Sequence, residues 1–178
     1  MTDANEQLPT EAELKAIRLS EEKKEADRRR FYIYSNDGDL LHTATQEEFD
    51  DIVFNVCAFG ADSRTFTAHN GKLQLTFTTI NENINETILK EIQEYVRKES
   101  PSQALLERKS KKVNLCHQLQ SIQIDATMVN LREQKPEDRQ KYFDAMAKQQ
   151  IDYYGLYLWA FEELIRRALL DGEALGNS

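Results

Sequence analysis

Between Arg64 and Phe77 the chain reads RTFTAHNGKLQLTF, and no other stretch limits its fold as tightly. Asn70-Gly71 is the dipeptide that tolerates the two positive φ angles of a type I′ turn. A two-residue turn there pairs Ala68 with Leu73 and Phe66 with Leu75, so four apolar side chains share one face while Thr67 meets Gln74 on the other. A slip of one residue would turn the whole apolar set outward. Turn chemistry and alternation therefore specify the same register, that of an antiparallel hairpin. In this register His69 is a solvent-facing strand residue beside the turn.

Upstream, Phe31-Tyr32-Ile33-Tyr34 is a short run of β formers. Turn-forming Ser35-Asn36-Asp37-Gly38-Asp39 and then Leu40-Leu41 follow, which reads as strand, turn and return strand. A calcium loop beginning at Asn36 fails, since Gly38 and Leu40 put no side-chain oxygen at two ligand positions. Thr45-Gln46-Glu47-Glu48 has the form of a capping box, and Phe49, Ile52, Val53 and Val56 follow at spacings of three and four. The pattern predicts a helix from Gln46 to Phe59, closed by Gly60.

Downstream the periodicity becomes helical. Ile84, Ile88, Ile92 and Val96 recur every four residues behind a cap at Asn83, with Glu86 three residues later, and Pro101 ends the helix. A second helix starts at Ser102 and runs through Leu105, Leu106, Leu115 and Leu119. Its run Arg108-Lys109-Ser110-Lys111-Lys112 reads as a solvated face, with contact to an acidic partner as the alternative. Gln120 to Asp125 alternate at period two, and Met128 to Leu131 pair with them as a small second hairpin. Pro136 opens another helix, with Glu137 and Asp138 in the first turn and Tyr142, Phe143 and Met146 on one side.

The last helix is the most apolar. One stripe holds Ile151, Tyr154, Leu158, Phe161 and Ile165, and a second holds Tyr153, Tyr157, Ala160 and Leu164. Apolar groups on two sides imply burial against more than one neighbour. The helix is either the centre of the core or a surface shared with a partner. Tyr153, Tyr157 and Trp159 are the candidate partner-binding residues, because Tyr and Trp are enriched at interface hot spots.

Glu11 to Arg30 is charged nearly throughout, with Leu14, Ile17 and Leu19 its only sizeable apolar groups. It reads as an exposed helix, capped by Thr10, or a tail that orders on a partner. Its basic end Arg28-Arg29-Arg30 offsets the helix macrodipole. The fold class is therefore α+β: a charged helix or tail over 1–30 and a single domain over 31–178. The β elements fall mainly in 31–80, and helices and the short second hairpin follow.

Across 178 residues, 40% hydrophobic and 30% charged, the chain is apolar enough to fold, and its formal charge of −8 argues against nucleic acid as a partner. No run approaches the length of a membrane span, and residues 1–10 lack the order of a signal peptide, so a cytoplasmic protein is expected. Cys57 and Cys116 form no Cys-x-x-Cys and read as buried thiols. Neither His42 nor His117 has a partner at ligand spacing, and no Gly-x-Ser-x-Gly, phosphate loop or His-Glu-x-x-His is present. Glu162 and Glu163 are adjacent on a helix and cannot face one substrate together. The expectation is a non-catalytic protein, with no metal and no cofactor, that binds other proteins; an enzyme built on an unfamiliar site is the remaining alternative.

The order NGKLQLTFTTI, an acidic helix, LCHQLQSIQID and then KPEDRQKYFDAMAKQQIDYYGLYLWAFEELI resembles tail assembly chaperones and baseplate hub assembly proteins of tailed bacteriophages, over residues 66–170. Such proteins follow a β strand with a helical region, carry a leucine-rich segment leading into a short strand, and finish with a helix bearing a Tyr and then Phe or Leu before Glu-Glu-Leu. The resemblance implies no catalytic residues, other phage tail or baseplate proteins as partners, and a place in the host cytoplasm or the virion. The charged N-terminal segment has no counterpart, which leaves open a structural virion component with the same core. Apart from the resemblance, the residues also suit a cellular adaptor or regulator that binds one partner through its terminal helix.

Overall fold

The computed structural model describes residues 11–28 and 30–175, so the expected Thr10 cap and Arg29 lie outside the described residues. In chain order the elements are α1 (Glu11–Arg28), β1 (Arg30–Tyr34), β2 (Leu40–Thr45), α2 (Gln46–Phe59), β3 (Ser63–Ala68) and β4 (Leu73–Thr78). After them come α3 (Glu82–Glu99), α4 (Gln103–Gln118), β5 (Leu119–Ile124), β6 (Thr127–Asn130), α5 (Pro136–Ala145) and α6 (Lys148–Leu175). The architecture is α+β.

The hairpin β3–β4 has the expected register, with Ala68 opposite Leu73, Phe66 opposite Leu75 and Thr67 opposite Gln74. Lys72 N donates to His69 O at 3.2 Å across the turn, and φ is 56° at Asn70 and 87° at Gly71, the two positive angles a type I′ turn needs. His69 departs from expectation. Its φ is 52°, so the left-handed run starts one residue early and removes His69 from the strand.

Local pattern does not reveal what β4 pairs with next. β5 adds antiparallel to β4, with Leu73 opposite Ile124 and Leu75 opposite Ile122, so the two hairpins fuse into one four-stranded sheet in the order β3-β4-β5-β6. The small second hairpin expected after residue 120 is present as β5–β6. The helix expected to run on through Leu119 ends at Gln118, and Leu119 enters the strand at once. β1 and β2 form a separate two-stranded sheet.

Helix α6 is the centre of the core. Ile151, Tyr154, Leu158, Phe161, Ala160, Leu164 and Tyr157 are all buried, so both stripes face inward. Phe161 stacks on Phe77 at 5.8 Å and meets Phe66 edge-on at 6.4 Å, which locks α6 onto the inner face of the large sheet. Helix α2 covers a second side. Thr45 caps it, its hydroxyl accepting from Glu48 N at 3.2 Å, and Gly60 ends it at φ 72°. On α3 the cap is Asn81 rather than Asn83: the Asn81 side chain accepts from Ile84 N at 3.0 Å, two residues earlier than the periodicity suggests.

Two polar features also depart from expectation. The basic run of α4 is not a solvated face, because Lys109, Lys111 and Lys112 each reach a carboxylate on another helix: Glu91, Asp152 and Asp144. Cys116 is buried as expected, and burial pushes its thiol up, whereas Cys57 is exposed on α2. Nothing in the local pattern singles out Asp62, yet it is buried and fully bonded. It accepts a two-pronged contact from Arg64 at 2.8 and 3.0 Å and one from Asn55 Nδ2 at 2.8 Å, tying α2 to the start of β3.

Candidate functional site

The inner face of the large sheet extends further than the helix that covers it. By register Leu73 and Ile124 are inner-face neighbours of Leu75 and Ile122. Leu75 and Ile122 are buried, whereas Ile124 is 52% exposed, beside the first turns of α6, which starts at Lys148. The uncovered end forms a groove of about 610 Å³ between the two hairpin turns and the first turns of α6. Leu73, Ile124 and Tyr154 make its apolar floor, and His69, Lys72 and Asp125 stand on its rim.

The rim is built by backbone conformations that most residues avoid. His69 at φ 52° and Asp125 at φ 50° are both left-handed, and Asp125 N donates to Lys72 O at 2.7 Å, which clamps one turn to the other. Such positions cost energy and persist where surrounding structure enforces them. The His69 ring stacks on Tyr153 at 5.7 Å, and its Nε2 is hydrogen-bonded to Tyr153 Oη at 3.0 Å. Tyr153 Oη in turn lies 3.3 Å from Tyr157 Oη. Burial pushes the Tyr157 phenol well up, and its bond to Tyr153 adds to the rise. Burial raises the Tyr154 phenol as well.

The three candidate partner-binding residues separate. Tyr153 is half-buried and lines the groove, Tyr157 is buried behind it, and Trp159 is 42% exposed elsewhere. Six residues of helix rotate a side chain by about 240°, so Trp159 cannot share the face of Tyr153. It lies on the side of α6 that carries Asp152 and Gly155, next to Lys111 of α4.

His69, Lys72, Ile124 and Asp125 were not legible as one cluster. Asn70-Gly71 marks the first turn, but the second joins it only through the pairing of β4 with β5, which no local pattern encodes. His42 also gains a partner, since Glu48 lies 3.1 Å from its Nε2. Among the described residues no group of three or more His, Cys, Asp or Glu is placed to hold a metal ion, and no helix is long and apolar enough to cross a membrane. No protein-family model, curated protein or solved structure matches the chain.

Proposed function

We propose that the protein is a non-catalytic, protein-binding component of bacteriophage tail or baseplate assembly, an assembly chaperone or structural adaptor, and that its partner enters the groove beside Tyr153. The groove carries the protein-binding half of this reading. It is open and apolar-floored, and its aromatic platform is held rigid by the His69 stack, the combination of apolar body and polar tip that recurs where proteins bind one another. Lys72 and Asp125 on its rim have no ion-pair partner among the described residues, so both are free to select a partner.

The phage half rests on the resemblance over residues 66–170. Element order supports it: strand β4, helices α3 and α4, a leucine-rich segment passing straight into β5, and a final helix bearing Phe161-Glu162-Glu163-Leu164.

The test uses the full chain as bait in a lysate of phage-infected cells, with retained proteins identified by mass spectrometry. A tail or baseplate protein is expected, and Tyr153→Ala should weaken its retention by more than about 1 kcal/mol at an unchanged melting temperature. Host proteins alone would remove the phage assignment. Undiminished retention by Tyr153→Ala would remove the groove.

A further inference from the structure

The fold divides the basic run of α4. Lys109, Lys111 and Lys112 are spent on holding α3, α6 and α5, at 3.0, 3.1 and 2.7 Å from their carboxylates. Arg108 is left over. It is partly buried and pairs with no carboxylate among the described residues.

Beside Arg108 is a pocket of about 360 Å³ between the first turns of α4 and α6. Lys148 of α6 stands on its other wall, exposed and without an ion-pair partner among the described residues. The two carboxylates of the wall are already engaged: Asp152 with Lys111, and Glu107 as acceptor from Gln103 Nε2 at 3.0 Å. In a chain of net charge −8, this pocket holds one more cation than anion.

The backbone adds to the same field. Lys111 lies opposite Asp152 and Gln118 opposite Glu162, so α4 and α6 run parallel and start at the same end of the molecule. Ala104 and Leu105 of the first turn of α4 line the pocket, and the side chain of Ser102, the residue before that helix, makes no capping bond. First-turn N–H groups and the positive ends of two helix dipoles thus lie near two unpaired cations.

We infer that this pocket binds an oxyanion group, phosphate or carboxylate, gripped by Arg108 and Lys148. A guanidinium offers the paired donors that match two oxygens of such a group, and the ammonium supplies a second charge from the facing helix. The site shares no lining residue with the groove beside Tyr153, so it stands or falls independently of the proposed partner.

The test titrates the full chain with inorganic phosphate and, separately, with succinate, each against sodium chloride of equal ionic strength, and follows amide NMR shifts of Ala104, Leu105 and Lys148. Saturable shifts with phosphate are expected, with midpoints raised about tenfold in Arg108→Gln and in Lys148→Gln. Saturation by phosphate alone assigns a phosphate-bearing ligand, and saturation by succinate too assigns oxyanions in general. Equal shifts with chloride, or unchanged midpoints in the variants, would overturn the inference. Should Arg108→Gln fail to fold, Lys148→Gln decides, since its ammonium supports no contact in the core.

Discussion

The two sheets are built from similar hairpins and end differently. In the four-stranded sheet the outer face carries hydroxyls, with Thr65 and Thr76 paired at 2.9 Å and Ser63 and Thr78 at 2.9 Å. In the two-stranded sheet the outer face carries Tyr32 stacked on Tyr34 at 6.3 Å, with Leu40 opposite Tyr34, and all three are 41–52% exposed. Their inner faces do not differ in kind: Phe66, Leu75, Phe77 and Ile122 are buried in one, and Ile33 and Ala44 in the other. The lesson is that packing governs inner faces whatever the size of the sheet, while outer faces answer only to what they meet. A bulge sharpens the contrast, since the register shift between Ile33 and Tyr34 leaves Leu41 as an extra residue, and it is buried.

The strongest way to break this comparison is to cut one residue from each face. Phe66 meets Phe77, Tyr157 and Phe161 within 6.0–6.4 Å, so Phe66→Ala should cost about 3–5 kcal/mol in urea unfolding. Tyr34→Thr, on the outer face of the small sheet, should stay within about 0.5 kcal/mol. Comparable losses from both would mean that the outer tyrosines belong to the core.

A smaller effect is expected at the turn that sets the register of the large sheet. Gly71 sits at φ 87° with nothing within 4 Å of where a Cβ would stand, so a side chain there meets no obstacle and only the backbone objects. Gly71→Val should therefore lower stability by about 1–3 kcal/mol through strain alone. An unchanged melting temperature would sink the turn assignment.

These cases also mark how far the residues alone could be read. The β3–β4 register, the bounds of α2 and the inward stripes of α6 were legible because each is written in neighbours: an Asn-Gly turn, a Thr cap with a closing Gly, a spacing of three and four. The β4–β5 pairing joins residues some fifty positions apart through side chains that many partners would satisfy, so the groove it creates was not legible. Residue type marks Tyr153, Tyr157 and Trp159 alike as interface candidates, and that signal cannot separate half-buried Tyr153 from buried Tyr157. Charge misled for the same reason: a basic run looks solvated until the acidic residues of three other helices are brought beside it.

The smallest effect concerns how the two-stranded sheet is tied down. Arg167 Nη1 donates to Tyr32 O at 3.2 Å, and Arg167 Nε donates to Glu163 Oε1 at 2.7 Å, so Glu163 orients the side chain that reaches β1 from α6. Hydrogen bonds from Arg166, against the opposing effect of burial, and then from Arg167 hold the Glu163 carboxyl at about 2, below its ordinary 4.5. A depressed carboxyl stabilises the fold above its unfolded value, and the contribution is lost as pH falls through the folded one. The window therefore runs from pH 4.5 down to about 2. Both arginines are substantially exposed, at 57% and 39%, so solvent screening limits the contribution to roughly 1 kcal/mol. Glu163→Gln should be less stable than the parent by that amount at neutral pH, and the two curves should converge as the window is crossed. In the parent, amide exchange should quicken in β1 and β2 before it does in β4 and β5, because only the small sheet hangs on Arg167. Parallel pH curves for parent and variant would show that this tether does not depend on the charge of Glu163.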